Sequence, residues 1–133
     1  MSDTSKDGLR RTLAFAAIAE IGTGLALLVD PALVVRLLLG AEIDGTGTLL
    51  GRCFGIALLA LGVACWPGRS RPEGGVQPFR AMLAYNALIA LFLGYLGFVT
   101  HLGGILLWPA VALHAAVALL LIASRGKERP SNA

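Results

Sequence analysis

The stretch LAFAAIAEIGTGLALLV, Leu13–Val29, runs directly into Asp30-Pro31. Only Glu20 and Thr23 interrupt its apolar character. At ~1.5 Å per residue, a helix of this length covers most of the ~30 Å of hydrocarbon in a bilayer. Three further runs of similar kind follow, at about Thr48–Trp66, Phe79–Val99 and Ile105–Ser124. A cleaved signal peptide would be followed by a soluble chain rather than by three more such runs, so the first run reads as a retained span. The composition agrees. Hydrophobic residues make up 56% of the 133 positions and charged residues 14%, against about 25% charged in soluble domains. Mean hydropathy is +0.77. Disorder, a disulfide scaffold and a nucleic-acid module are excluded as the main purpose of the chain.

Between the spans the punctuation is explicit. Residues 1–11 read as a short polar tail. Asp30 reads as an N-cap and Pro31 as the first helical residue. A short helix over about 31–39 then ends at Gly40. It is too short to cross a bilayer and is expected to lie at the interface, with Arg36 reaching water. Ala41–Gly47 is a loop. Residues 67–78, rich in Pro, Gly and Arg, form a linker. Thr100–Gly104 makes a tight turn. The predicted fold is all-α: a four-transmembrane-helix up-down bundle with a short interfacial helix after the first span, in one domain covering 1–133.

Lys and Arg placement gives the orientation. Lys6, Arg10, Arg11, Arg69, Arg71, Arg80, Arg125, Lys127 and Arg129, nine of the eleven basic residues, fall on one side. Arg36 and Arg52 fall on the other, beside Asp30, Glu42 and Asp44. By the positive-inside rule both termini are expected on the cytoplasmic side of a multi-pass protein; the expected location, a bacterial inner membrane, goes with the resemblance given below. Trp66 and Trp108 sit where aromatic belts are expected. Cys53 and Cys65 lie ~18 Å apart along one helix, too far for a disulfide, and read as small packing residues.

Polar residues inside spans are expensive and mark the places where chemistry could reside. Glu20 and Asn86 each lie ~10 Å from the inner end of their spans, and His114 ~15 Å. The three therefore fall in one layer. Each shares a helical face with small residues: Ala16, Glu20, Thr23 and Gly24; Asn86, Ala90, Gly94 and Gly97; Ala110, His114 and Ala118. Such faces let membrane helices approach closely. The layer is expected inside the bundle, either as interhelical hydrogen-bonded glue or as a proton or ligand site, since a carboxyl and an imidazole can exchange protons. One Glu and one His leave a tetrahedral metal two ligands short, so no metal is expected. Arg52, ~6 Å below the outer end of its span, either snorkels to the headgroups or turns inward toward Glu20. Gly51-Arg52-Cys53-Phe54-Gly55 is also a GxxxG stretch, a signal of close helix contact. His101 reads as a solvated loop residue, and Tyr85 and Tyr95 as interface or packing residues.

No Walker loop, dinucleotide fingerprint, HExxH, CxxC or nucleophile elbow is present. Neither a catalytic residue nor a cofactor is expected. The abundance of small-residue faces points to partners in the bilayer: a second copy of the chain or a larger membrane complex. The favoured function is a non-catalytic accessory or stabilising subunit. The alternative is a small proton-coupled transporter or hydrophobic-ligand-binding protein centred on Glu20.

Two resemblances bear on these expectations. Asp30-Pro31 with Leu37-Leu38-Leu39-Gly40, then Gly51-Arg52-Cys53-Phe54-Gly55 with Leu58-Leu59-Ala60-Leu61-Gly62 and Trp66, then Trp108 and His114, resemble the layout of small uncharacterised bacterial four-helix membrane proteins, loosely DoxX-like. This likeness spans most of the chain and implies a fold rather than an activity. Ala19-Glu20-Ile21-Gly22-Thr23 resembles the membrane-embedded glutamate motif of small multidrug resistance exporters. There the glutamate binds protons and cationic drugs in turn, which implies the same role for Glu20. The Glu-to-Gly spacing here is one residue shorter than in that motif.

Overall fold

The computed structural model describes residues 3–68 and 76–126. They form five α-helices and one π-helical segment: α1 (Asp3–Val29), α2 (Pro31–Leu39), α3 (Gly45–Ala64), α4 (Val76–Tyr95), the π segment Leu96–Thr100, and α5 (Leu107–Gly126). Four helices are long and apolar enough to cross a membrane, over Asp7–Val29, Gly45–Ala64, Gln77–Thr100 and Leu107–Ser124. No strand occurs among the described residues. The expected basic positions Arg69, Arg71, Lys127 and Arg129 lie outside the described residues, as does most of the expected linker.

Local chemistry accounts for most helix boundaries. The Asp30 carboxylate accepts from the Leu33 backbone N–H at 2.9 Å, Pro31 needs no donor partner, and Gly40 closes α2 in the left-handed region at φ 69°. The expected short helix is therefore present, with its expected caps. Asp44 caps α3 in the same way, accepting from Gly47 N–H at 2.7 Å. That cap starts α3 at Gly45 rather than Thr48, because the cap chemistry outweighs the two glycines beside it. The expected polar tail is corrected: α1 begins at Asp3. Nothing in residues 3–12 breaks a helix, and the Thr12 hydroxyl bonds back to the Gly8 carbonyl at 3.0 Å. Residues 76–78, assigned above to the linker, form the first turn of α4, since Pro78 is tolerated there.

The helices pack as two pairs. α1 makes its most extensive contact with α3, and α4 with α5. α1 joins the pairs, mainly through α5 and slightly through α4, while α3 has almost nothing to do with α4 or α5. The α1–α3 contact is made by glycine. A Cβ on Gly24 would stand 2.7 Å from the Gly55 carbonyl oxygen, and a Cβ on Gly55 would stand 2.7 Å from that of Gly24. One turn earlier Gly51 lies against Pro31, and further along Gly62 lies against Ala17 and Ile21. The GxxxG stretch is thus the face that lets α3 reach the α1–α2 corner.

Two attachments hold the second pair to the first. At one end Leu13, Ala16, Ala17 and Cys65 form a core cluster with Phe79, Met82, Val117 and Leu121. At the other end, backbone N–H groups of Gly104 and Leu106 donate to the Leu38 and Leu37 carbonyls at 3.0 and 2.9 Å. These satisfy the orphan carbonyls of α2. Gly104 lies so close to the Leu37 carbonyl that no side chain fits there. The site described next lies between these two attachments.

Candidate functional site

Glu20 comes from the middle of α1, Tyr85 and Asn86 from α4, and His114 from α5. The helices bring all four together. Glu20 and Asn86 are 2% and 1% exposed, and they are the buried polar or charged residues of the described chain. His114 lies at the edge of the cluster, its side chain 15% exposed.

The hydrogen bonds fix the orientation of each group. Asn86 Nδ2 donates to the Met82 carbonyl one turn back, at 2.9 Å. With its amide nitrogen committed, Asn86 presents Oδ1 to His114 Nδ1 at 2.8 Å. An amide oxygen only accepts, so that contact requires the proton on Nδ1. Neutral His114 is therefore held as the Nδ1–H tautomer, leaving Nε2 as its acceptor. The Glu20 carboxyl has the Tyr85 hydroxyl as a side-chain hydrogen-bond partner. Its Oε1 lies 4.0 Å from His114 Nδ1, near enough to attract a charged imidazole but beyond hydrogen-bond distance. The Tyr85 ring meets His114 edge-on, with centroids 5.8 Å apart. Among the described residues, no buried side-chain nitrogen or oxygen lacks a partner.

The arrangement has a definite chemical capacity. A carboxyl, a phenol and an imidazole within contact of one another can hold, share or pass a proton. The cluster offers one carboxylate and one imidazole, and no group of three or more His, Cys, Asp or Glu able to hold a metal occurs among the described residues.

Three expectations need correction, and one open alternative is decided. Arg52 is exposed on α3, in line with the snorkelling alternative and not with a turn toward Glu20; the glycine face of α3 meets α1, which turns the neighbouring Arg52 outward. Cys53 follows it to the surface, and only Cys65 packs inside. Thr23 does not share the buried face of Glu20. It is exposed, and its hydroxyl bonds back to the Ala19 carbonyl at 2.9 Å. Gly94 makes no close approach, since a Cβ there would meet nothing within 4 Å. Conversely, Tyr85 belongs to the cluster although it read as a packing residue. Its signal was its place: it directly precedes Asn86, within the same apolar run.

No family model, curated protein or solved structure matches this chain.

Proposed function

We propose that this chain is a non-catalytic multi-pass protein of a bacterial inner membrane, an accessory or stabilising subunit of a membrane assembly. In this reading its four spans run up and down with both termini in the cytoplasm, and α2 lies at the outer interface. The observation that carries it is the closed polar cluster. Glu20 and Asn86 are almost fully buried, and the cluster finds its hydrogen-bond partners within the chain. Such a network joins helices without needing a ligand, at about 1 kcal/mol per contact. The outward surface is consistent with lipid and partner helices around it: Leu88, Leu91 and Phe92 of α4 and Leu49, Leu50 and Phe54 of α3 are all exposed.

Topology and assembly are tested together. A cytoplasm-active reporter is expected to work when fused at Arg71, and a periplasm-active one at Glu42; the reverse pattern overturns the orientation. Cross-linking in native membranes is expected to trap a multimer or a defined complex, and a strictly monomeric species counts against the subunit reading.

A second reading, a small proton-coupled transporter or hydrophobic-ligand-binding protein, is favoured by one observation: the 4.0 Å approach of Glu20 to His114. It requires a proton-driven flux in reconstituted vesicles that Glu20→Gln abolishes. Without such a flux, the subunit reading stands alone.

A further inference from the structure

The polar cluster occupies the seam between the two helix pairs. Glu20 belongs to the α1–α3 pair, whereas Tyr85, Asn86 and His114 belong to the α4–α5 pair. On either side of it the seam is closed by groups without charge: the apolar cluster around Met82 and Leu121 at one end, and the backbone bonds from Gly104 and Leu106 to α2 at the other. Glu20 is thus the single ionisable side chain that α1 presents to the seam between these attachments.

What faces it decides which charge state the closed seam accepts. α4 presents the Tyr85 hydroxyl, and α5 presents His114. α3 presents Gly55, Leu59 and Gly62 to α1, with Arg52 and Cys53 exposed away from it. α2 meets α1 at the far end, and its Arg36 is exposed. Among the described residues no Lys or Arg pairs with Glu20. The one nearby group able to become cationic, His114, spends its Nδ1 proton on Asn86 at 2.8 Å and stands off Glu20 at 4.0 Å. A neutral carboxyl fits this arrangement with its phenol partner alone. A carboxylate keeps the phenol's donation, but its charge is balanced only while His114, 4.0 Å away at Nδ1, carries a second proton on Nε2. Once that proton too is gone the carboxylate must admit water, because an unpaired buried charge is among the costliest groups a membrane interior can hold.

We propose that the closed seam is the form in which Glu20 carries its proton, and that loss of this proton to water entering the seam loosens the α1–α3 pair from the α4–α5 pair. The protein then acts as a proton-operated latch. The inference rests on the cluster being the fastener between the helix pairs, and adds that pH regulates it. The sign follows from linkage: the closed state binds the proton that the open state releases, so closure is complete at low pH and is lost as pH rises.

The test is a distance measurement on the full chain in lipid nanodiscs. Spin labels are placed on the native, exposed Cys53 of α3 and on Leu91→Cys of α4, also exposed, with the buried Cys65 changed to Ala. The expected result is one narrow distance distribution at about pH 5, and a longer or broader one at about pH 9. Glu20→Gln, which stays neutral, is expected to keep the narrow distribution at both. Hydrogen exchange of the α4 amides in the unlabelled wild type supplies an independent readout, with faster exchange expected at high pH after correction for the intrinsic rate. Distances and corrected exchange that do not change with pH, or a Glu20→Gln variant that opens like the wild type, overturn the latch. The fastener beneath it fails differently: Glu20→Leu would then be as heat-stable as the wild type. A protein that Glu20→Leu destabilises, but whose seam ignores pH, keeps the fastener and loses the latch.

Discussion

α1 meets its neighbours in two different ways. Toward α3 it offers Gly24, and the two backbones come so close that the Gly24 and Gly55 carbonyls exclude any side chain. Toward α4 and α5 it offers Glu20, and the contact is a carboxyl beside a phenol and an imidazole. The first contact is shape. It sets backbone against backbone and is the most extensive of the interhelix contacts. The second is chemistry, placed between the two attachments that hold the ends of the seam. In a bilayer, where lipid tails are as apolar as leucine, close packing gives an invariant joint and polar groups give a selective one. The chain uses the invariant joint inside the α1–α3 pair, and polar groups both between α4 and α5 and where these two meet α1.

The largest effect is expected from breaking the invariant joint. Gly55→Leu places a branched side chain where even a Cβ would lie 2.7 Å from a backbone oxygen and 3.0 Å from the Leu27 Cβ. Neither neighbour can swing aside. The expected loss is about 3 kcal/mol or more, at the upper end for overpacking, with failure to accumulate in the membrane as the practical outcome. Gly22→Ala is the control, on the partner helix α1. Nothing lies within 4 Å of its Cβ position, so thermal stability in detergent is expected to be unchanged or slightly raised. If the two variants behave alike, backbone proximity is not what holds α1 to α3.

The next effect concerns the selective joint. Glu20→Leu strands the Tyr85 hydroxyl and leaves His114 beside an apolar side chain, at an expected cost of about 1–3 kcal/mol. Glu20→Gln keeps a carbonyl oxygen for Tyr85 and is expected to lose less than half as much. The melting temperature of both in the same detergent checks the order. Values equal to each other and to the wild type would mean that the carboxyl contributes nothing to joining the pairs.

How much of this was legible in the sequence follows the same division. The four spans and the capped helix 31–39 depend on local signals, namely hydropathy, Asp30-Pro31 and Gly40, and these read directly. The depth of Glu20, Asn86 and His114 is a matter of counting residues, so their common layer was legible too. Which way a residue turns around its helix axis is not local. Depth leaves Arg52 free to snorkel or to turn toward Glu20, and sequence spacing puts Thr23 on the Glu20 face, but the rotation of α3 is set by Gly51, Gly55 and Gly62 seating on α1 and α2. That fit exists only between helices. Tyr85 was missed for a related reason: a phenol reads as packing until the carboxyl opposite it is located.

The smallest effect is expected at Arg52, and it sharpens the comparison because it separates proximity in sequence logic from proximity in space. Arg52 is exposed and makes no ion pair with Glu20. A long side chain at that position can lay its stem along apolar surface and carry its charge to the headgroups. Arg52→Gln is therefore expected to shift stability by no more than about 0.5 kcal/mol, the range of an ordinary surface substitution. Had Arg52 been the counter-charge of Glu20, removing it would leave a buried carboxylate alone, at about 3–5 kcal/mol. A double-mutant cycle makes the distinction independent of either absolute value. Arg52→Gln and Glu20→Gln are expected to add within about 0.3–0.5 kcal/mol, whereas Tyr85→Phe and Glu20→Leu, each of which removes the carboxyl–phenol contact, are expected to couple by more than that. Coupling between Arg52 and Glu20 would place a cation in the seam, and the neutral closed state of the latch would have to be abandoned with it.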